Sequence, residues 1–392
     1  MTEKLYDSDA YRTSFSARVL SCTEDGGGRF SVVLDRTAFF PESGGQGGDT
    51  GRLGEAAVLH TGEDGGEIRH STDRALPVGA TVEGEIDFSA RFDRMQNHTG
   101  EHIVSGLAHR LFGCTNVGFH LSDSETTVDF DRPLTRGELD RLEELACEAV
   151  YRDLPVTARY PSEQELRTLD YRSKGSLHGA VRVVHIPDYD DCACCAPHVR
   201  RTGEIGGVSM PDFMRYKGGV RIRLLCGARE AREARACYRE LSAAAQLCRL
   251  PRLSCADGVR RLSETAETLR AENAALSRAL ADARVASVPA GTHGNLCFFE
   301  PLLEEGGRRR LALGACERTD GVCAVFSGSD REGYRFCLAG HGLPLRGYAD
   351  RIGTALNGRC GGSDELLSGR AGASRKTIER YFAGTGFDAA RE

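Results

Sequence analysis

Two short clusters, nearly a hundred residues apart, set the hardest condition on how this chain can fold. His98-Thr99-Gly100-Glu101-His102 carries two histidines four apart, and Asp191-Cys192-Ala193-Cys194-Cys195-Ala196-Pro197-His198 carries a cysteine and a histidine at the same spacing. Residues four apart on a helix project from one face, close enough to share one ion. His98, His102, Cys194 and His198 together offer three imidazoles and a thiolate, a borderline-soft set that suits Zn²⁺ rather than Mg²⁺ or Ca²⁺. Alone, each half has an ordinary reading: two surface or core histidines, or a group of reduced thiols. Two matched halves reinforce each other, provided the fold brings them together. Spacing to His198 selects Cys194 from the crowded trio Cys192, Cys194 and Cys195.

At 392 residues the chain exceeds one ordinary core, and two to four domains are expected. It has no apolar run near the roughly 18 residues a membrane span needs. Met1-Thr2-Glu3-Lys4-Leu5-Tyr6 lacks the basic and apolar regions of a secretory signal. Fifteen cysteines without such a signal read as reduced cytoplasmic thiols. The net charge of -6 argues against coating nucleic acid by bulk charge and leaves room for a local basic groove.

The expected fold class is α+β and multidomain. Residues 14–90 read as a small β-barrel or sandwich, from the alternation Phe15, Ala17, Val19, Ser21 and the runs 30–34, 57–60, 67–70 and 82–87, each bounded by turn residues. Inside them lies the glycine-rich stretch 37–51. There Gly44 and Gly45 can expose backbone N–H groups, and Gln46 can present its amide to a substrate. Its plainer reading is a long turn. A helix is expected from about Asp93 to Leu111, with a core stripe of Ile103, Leu107 and Leu111, flanked by Val104 and Phe112, and the two histidines on another face. Glu101 precedes the second histidine instead of following the first. The segment therefore fails the His-Glu-x-x-His protease template, in which that glutamate is the general base.

Residues 116–227 read as α+β, with a strand at 126–130, a helix from Thr135 to Tyr151 capped by Thr135 and Glu138, and a strand at 182–186 feeding the cysteine cluster. Lys217, Arg221 and Arg223 lie on one predicted strand that could track a phosphate backbone or simply face solvent. Helices are expected over 228–247 and 255–285. In the second, Leu262, Ala266, Leu269, Asn273, Leu276, Leu280 and Ala283 form a heptad series suited to a helical hairpin or a dimer seam. Residues 292–392 read as α/β, with strands at 296–299, 310–313, 322–326 and 334–338, helices at 345–356 and 374–382, and a glycine loop at 357–363.

In order along the chain, Gly44-Gly45-Gln46, His98-x3-His102 and Cys194-x3-His198 resemble the motifs of free-standing alanyl-tRNA editing proteins of the AlaX family, in its long form. The resemblance implies an N-terminal β domain (1–90), a zinc editing domain (91–227), a helical hairpin or coiled coil (228–290) and a C-terminal domain for tRNA binding and oligomerisation (291–392). It implies Zn²⁺ on His98, His102, Cys194 and His198, and a homodimer through the C-terminal region. The implied reaction is hydrolysis in trans of mischarged tRNA(Ala), chiefly Ser-tRNA(Ala), or Gly-tRNA(Ala). Gln46 and Thr127 are the expected polar readers of the amino acid, and Glu101 the group that orients a ligand histidine. Gly44, Gly45, Lys217 and Arg221 are the expected tRNA contacts. The rival readings are a tRNA-binding or assembly module with a purely structural zinc, and a zinc hydrolase of other substrates.

Overall fold

A computed structural model of the chain describes residues 2–173 and 180–384. Two compact units divide the chain, Met1–Glu240 and Leu241–Glu392, and the helix Ala228–Cys248 runs across the division. The protein is α+β and multidomain.

In the first unit, strands Ser14–Gly26, Arg29–Leu34, Glu67–Thr72, Ala56–Asp64, Gly51–Leu53 and Thr81–Ile86 close, in that spatial order, into a barrel. Alternation along the chain builds it. Phe15, Ala17 and Val19 turn inward onto Val32, Leu34, Leu53, Val58 and Ile86, while the residues between them face out. Closure removes the free edges that a sandwich of such short strands would keep.

The helix that carries the paired histidines runs from Phe88 to Phe112, beginning five residues before the expected start. Asp87 supplies the cap, accepting from the Ala90 amide, and Phe88 and Phe92 pack beside Tyr11. Gly113, in the left-handed conformation, ends it. The core stripe is Met95, Ile103, Val104, Leu107 and Ala108, which shares a cluster with Leu139, Leu142 and Ala146 of the helix Arg136–Arg152. Leu111, expected in that stripe, is 45% exposed. The expected Thr135–Glu138 capping box is formed in full. A four-stranded antiparallel sheet has the order Phe213–Tyr216, Gly219–Arg223, Thr126–Phe130, Asn116–Leu121, and a three-stranded sheet joins Thr157–Arg159, Val183–Ile186 and Asp190–Ala193. The histidine helix packs against the edge strand Asn116–Leu121 and against Asp190–Ala193. This is how the two halves of the motif come to one place.

The second unit is built on a five-stranded sheet, ordered Leu296–Phe299, Val322–Ser329, Gly333–Gly340, Leu366–Ala371, Gly358–Gly362, with only the first pair parallel. Phe326, Tyr334, Phe336 and Leu338 face Ile352 and Ile378 on one side, and Cys323, Val325 and Cys337 face Leu311 and Ala281 on the other. Two expectations are corrected here. Arg310–Leu313 is not a strand but part of the helix Glu305–Cys316. Four residues are too few to separate the two periods, and Leu311, Ala312, Ala315 and Cys316 bury one helical face. The stretch 357–363 is not a loop; Gly358–Gly362 forms an edge strand paired with Leu366–Ala371. In the long helix Cys255–Ser287, Leu262, Leu269 and Leu276 are 61%, 58% and 72% exposed, so the heptad series is unpacked among the described residues, which counts against the hairpin reading and not against the dimer seam. The buried positions there are Cys255, Gly258, Ser277 and Ala281 instead. All fifteen cysteines are unpaired, and no helix among the described residues is long and apolar enough to cross a membrane.

Candidate metal centre

His98, His102, Cys194 and His198 meet, each offering a ligand atom, and these atoms all lie within 4.8 Å of one another. The Sγ of Cys194 is 3.6 Å from His98 Nε2 and 3.4 Å from His198 Nε2. The three histidines are buried, and they could hold one metal ion with the cysteine.

What turns the Nε2 atoms inward is a partner behind each ring. Gln46 Oε1, which can only accept, sits 2.8 Å from His98 Nδ1, so that nitrogen carries the proton and Nε2 keeps its lone pair. Thr99 Oγ1 donates to the Met95 carbonyl at 2.8 Å; its lone pairs therefore receive His198 Nδ1–H at 3.1 Å and the Val199 N–H at 3.3 Å. Behind His102, Asp190 Oδ2 lies 3.0 Å from Nδ1, at an ion-pair distance although off the line of a well-directed hydrogen bond. Arg172 holds Asp190 bidentately at 2.7 and 2.8 Å.

The electrostatics identify the thiolate. Burial on its own would raise the thiol of Cys194, but the His98 and His198 rings, with hydrogen bonds from His102 and His198, overcome it and hold that thiol well below its ordinary range. Burial pushes Cys192 up to about 11, and it raises Cys195 as well. Burial lowers His198 to about 3. His102 moves well upward, against burial, because Cys192, Asp190 and Cys194 surround it. His102, Asp190 and Cys192 form a second possible metal group, but the raised thiol of Cys192 makes it the poorer one. Arg182 ties the cysteine loop down, donating to the carbonyls of Cys194 and Ala196, both at 2.9 Å.

The glycine stretch earns its composition at the turn Ser43–Gln46. Ser43 and Gln46 exchange backbone hydrogen bonds, with Gly44 and Gly45 between them at φ +63° and +86°, the signs a type I′ turn requires. Gly45 then accepts from the Leu121 amide at 2.8 Å, so the turn lies along the open edge of the sheet and carries Gln46 to His98. A Cβ on Gly45 would stand 2.4 Å from the Phe119 carbonyl oxygen. On the helix, a Cβ on Gly106 would stand 2.2 Å from the Tyr189 carbonyl oxygen. Only glycine there lets the strand bearing Asp190 approach His102 so closely.

The remaining expected site residues are placed less uniformly. A cavity of about 510 Å³ opens on the cluster, with Tyr6, Phe40, Gly44, Glu101 and Arg182 in its walls. Glu101 is buried; Oε1 accepts from Ser105 at 2.5 Å and from the Asn116 amide. The carboxylate seen beside a ligand histidine is that of Asp190. Gln46 lies behind His98, with Oε1 committed to it and Nε2 buried without a partner among the described residues. Thr127 lies opposite Arg223 and His120 in the four-stranded sheet, away from the residues lining the cavity. Arg221 is held bidentately by Asp129 at 2.6 and 2.7 Å and stacks on Tyr216, and Arg223 pairs with Glu233 and Asp212. Two of the three cations read as a phosphate track are therefore already paired. Lys217 sits at the turn, its Nζ 5.1 Å from the Tyr216 ring. Asp190, Thr99, Arg172 and Arg182 were not singled out from the sequence, although the acidic pair Asp190-Asp191 leading into the cysteines was a signal for the first.

Residues 181–210 match the family described as the threonyl and alanyl tRNA synthetase second additional domain. Among curated proteins, the chain is 33% identical over 350 residues to an alanine–tRNA ligase of Pyrobaculum neutrophilum, covering 84% of this chain and 39% of that one. It is 25% identical to the alanyl-tRNA editing protein Aarsd1-A of Xenopus laevis, over 95% of this chain and 94% of the relative. To the mouse editing protein Aarsd1 it is 30% identical, over 51% and 53%. The chain thus spans well under half of the ligase and nearly all of the Xenopus protein. Among solved structures, the C-Ala domain of Aquifex aeolicus alanyl-tRNA synthetase aligns with 25% of this chain and 96% of its own, at 21% identity and a TM-score of 0.20.

Proposed function

We propose that this chain, a member of the alanyl-tRNA editing protein family, hydrolyses the aminoacyl ester of mischarged tRNA(Ala), with Ser-tRNA(Ala) as the main substrate and Gly-tRNA(Ala) as a second. One observation carries the reading: three Nε2 atoms and a lowered-pKa thiolate converge at a cavity large enough for an aminoacyl group. The donor set fits zinc. A tetrahedral ion with ordinary Zn–N and Zn–S bonds separates N from S by about 3.6 Å, and the observed spacings are 3.6 and 3.4 Å. His98, His102, Cys194 and His198 would hold it, and a bound zinc would supply Lewis acidity toward the ester carbonyl.

The overall change is that water gives its oxygen to the acyl carbon and a proton to the departing ribose oxygen, leaving free serine and tRNA with a free hydroxyl. The chain's own residues prepare this. Gln46, Asp190 and Thr99 fix the three rings, and so act through the histidines as positioning residues. Tyr6 and Phe40, packed edge to face at 5.4 Å, give the cavity an apolar wall that limits water. Alanine is rejected if a buried polar group pairs only with the serine hydroxyl, a requirement worth a factor of about 10⁴. The Nε2 of Gln46, unpartnered among the described residues, is one such group behind His98, and neither Gln46 nor Thr127 is among the residues lining the cavity. The domain division set out from the sequence remains our assignment, with chemistry in the first unit and a tRNA grip in the second.

A specific observation also favours the rival reading: four protein donors already complete a tetrahedron, as in structural sites. Purified protein incubated with Ser-tRNA(Ala) and Ala-tRNA(Ala) separates the two. Editing predicts loss of serine, sparing of alanine, and near-abolition of turnover in His102→Ala and Cys194→Ala. Turnover that survives in both variants rules out the zinc mechanism, and no turnover in the unaltered protein leaves the structural reading.

A further inference from the structure

The second unit carries a row of like charges with nothing to neutralise it among the described residues. In its sheet Arg335 stands opposite Arg370, and Arg370 opposite Arg359, across three neighbouring strands. Directly opposed residues of antiparallel strands place their Cβ atoms about 5 Å apart, so three arginine stems rise in line from one face. All three are exposed, and none has an ion pair or side-chain hydrogen bond among the described residues. Alternation puts Cys337, Ser368 and Gly361 on the same face, with no carboxylate among them. Arg221 and Arg223, also on a strand, are by contrast paired with Asp129 and Glu233.

The row continues inward. Ser327 lies opposite Arg335 on the next strand, and its hydroxyl donates to the Leu303 carbonyl at 2.8 Å. Arg308 Nη1 donates to that same carbonyl at 2.9 Å. Arg308 is only 6% exposed, and its Nε has no partner among the described residues. At the outer edge, a Cβ on Gly361 would meet nothing within 4 Å, so the face is open above that strand.

Like charges directly opposed weaken a sheet, and an arrangement that costs stability is retained where an anion compensates it. Arginine meets phosphate with a two-pronged fork. Three forks spread over about 10 Å of sheet, at the ordinary strand spacing, match successive phosphates of a chain better than one small anion. We propose that the Arg335–Arg370–Arg359 face grips the phosphodiester backbone of RNA. Its identification with tRNA rests on the function proposed above; the site itself does not.

The full chain tests this in two triple variants, with Arg335, Arg359 and Arg370 all changed to Gln or all to Lys. Binding of a deacylated tRNA(Ala) transcript, of poly(U) of equal length and of phosphatidylserine vesicles is titrated from low to moderate salt. The Gln variant should bind tRNA at least about tenfold more weakly, with a log K against log salt slope shallower by about 2 to 3, close to one unit for each lost phosphate contact. The Lys variant should keep most of the slope. Because repulsion is relieved, the melting temperature of the Gln variant should equal or exceed that of the parent, and turnover of Ser-tRNA(Ala) at saturating substrate should not change. Wild-type affinity and slope in the Gln variant would overturn the proposal, as would a loss confined to vesicles. Should the triple variant fail to fold, Arg370→Gln alone should lower the slope by about 1, and an unchanged slope there overturns it equally. If the parent binds tRNA but hydrolyses neither charged form, the proposed activity fails while this site stands.

Discussion

Asp190 stands between a histidine of the candidate metal centre and an arginine, with Oδ2 3.0 Å from His102 Nδ1 and both oxygens gripped by Arg172. His102, with Arg172 adding to the effect, holds Asp190 ionised against its burial, so its carboxyl lies below the usual range. A carboxylate there favours the proton on Nδ1 and frees Nε2 for a metal. Asp190→Asn would offer His102 a donor and favour the opposite tautomer. Zinc affinity, read by chelator competition, should fall about 10- to 100-fold. An unchanged affinity would mean that the ring is oriented by something other than this carboxylate.

The turn that delivers Gln46 makes a second prediction, through a contrast between neighbours. Gly44 and Gly45 both sit at positive φ, but a Cβ on Gly44 meets nothing within 4 Å, while one on Gly45 meets the Phe119 carbonyl oxygen at 2.4 Å. Gly44→Ala should cost about 1 kcal/mol of backbone strain. Gly45→Ala should cost about 2 kcal/mol or more, since strain and collision add, and it should lower turnover further by moving Gln46 off His98. Equal denaturation midpoints for the two variants would refute this account of the turn.

The same loop is tied to the histidine helix by a buried ion pair. Asp49 Oδ2 accepts Arg91 Nε at 2.8 Å and the Phe40 amide at 2.6 Å, and Arg91 also reaches the Ala38 carbonyl at 2.7 Å. Both side chains are buried. Asp49→Ala leaves the guanidinium uncompensated and should cost about 3 to 5 kcal/mol. Asp49→Ala combined with Arg91→Met should recover much of that loss. A double variant no more stable than the single one would show that packing, not the stranded charge, set the cost.

The four residues of the candidate metal centre were legible in the sequence because helical and loop spacing expresses itself locally, and two matched four-residue spacings stood out. The β structure of residues 14–90 was legible through the alternation Phe15-Ala17-Val19, though not its closure into a barrel in place of a sandwich, and the Thr135–Glu138 cap through a four-residue motif. What stayed hidden was contact between residues distant in the chain. Nothing near Asp190 indicates that Gly106 will admit its strand to His102, and nothing near Arg221 shows that Asp129 will take its charge. Leu262, Leu269 and Leu276 keep a heptad period without a partner among the described residues, because period reports what a helix can pack against, not what it does pack against. Arg310–Leu313 failed for a simpler reason: four residues fit either period.

His70, in the barrel, gives the pH dependence a definite sign. Nδ1 lies 3.0 Å from the Val32 carbonyl and Nε2 2.8 Å from Thr37 Oγ1, a neutral ring donating on one side and accepting on the other. Burial lowers its pKa to about 4, with the Val32 hydrogen bond opposing. An unfolded histidine titrates near about 6.5, so the unfolded state binds the proton first as pH falls. Stability from this group is full above about pH 6.5, declines between 6.5 and 4, and levels off below 4, where both states are protonated. The drop between pH 7 and pH 5 should be about 2 kcal/mol. His70→Asn, less stable at neutral pH, should lose that increment of pH sensitivity while keeping the background from other groups. Urea midpoints at pH 7 and pH 5 for both proteins decide it, and parallel pH profiles would mean that the ring is charged in the folded barrel.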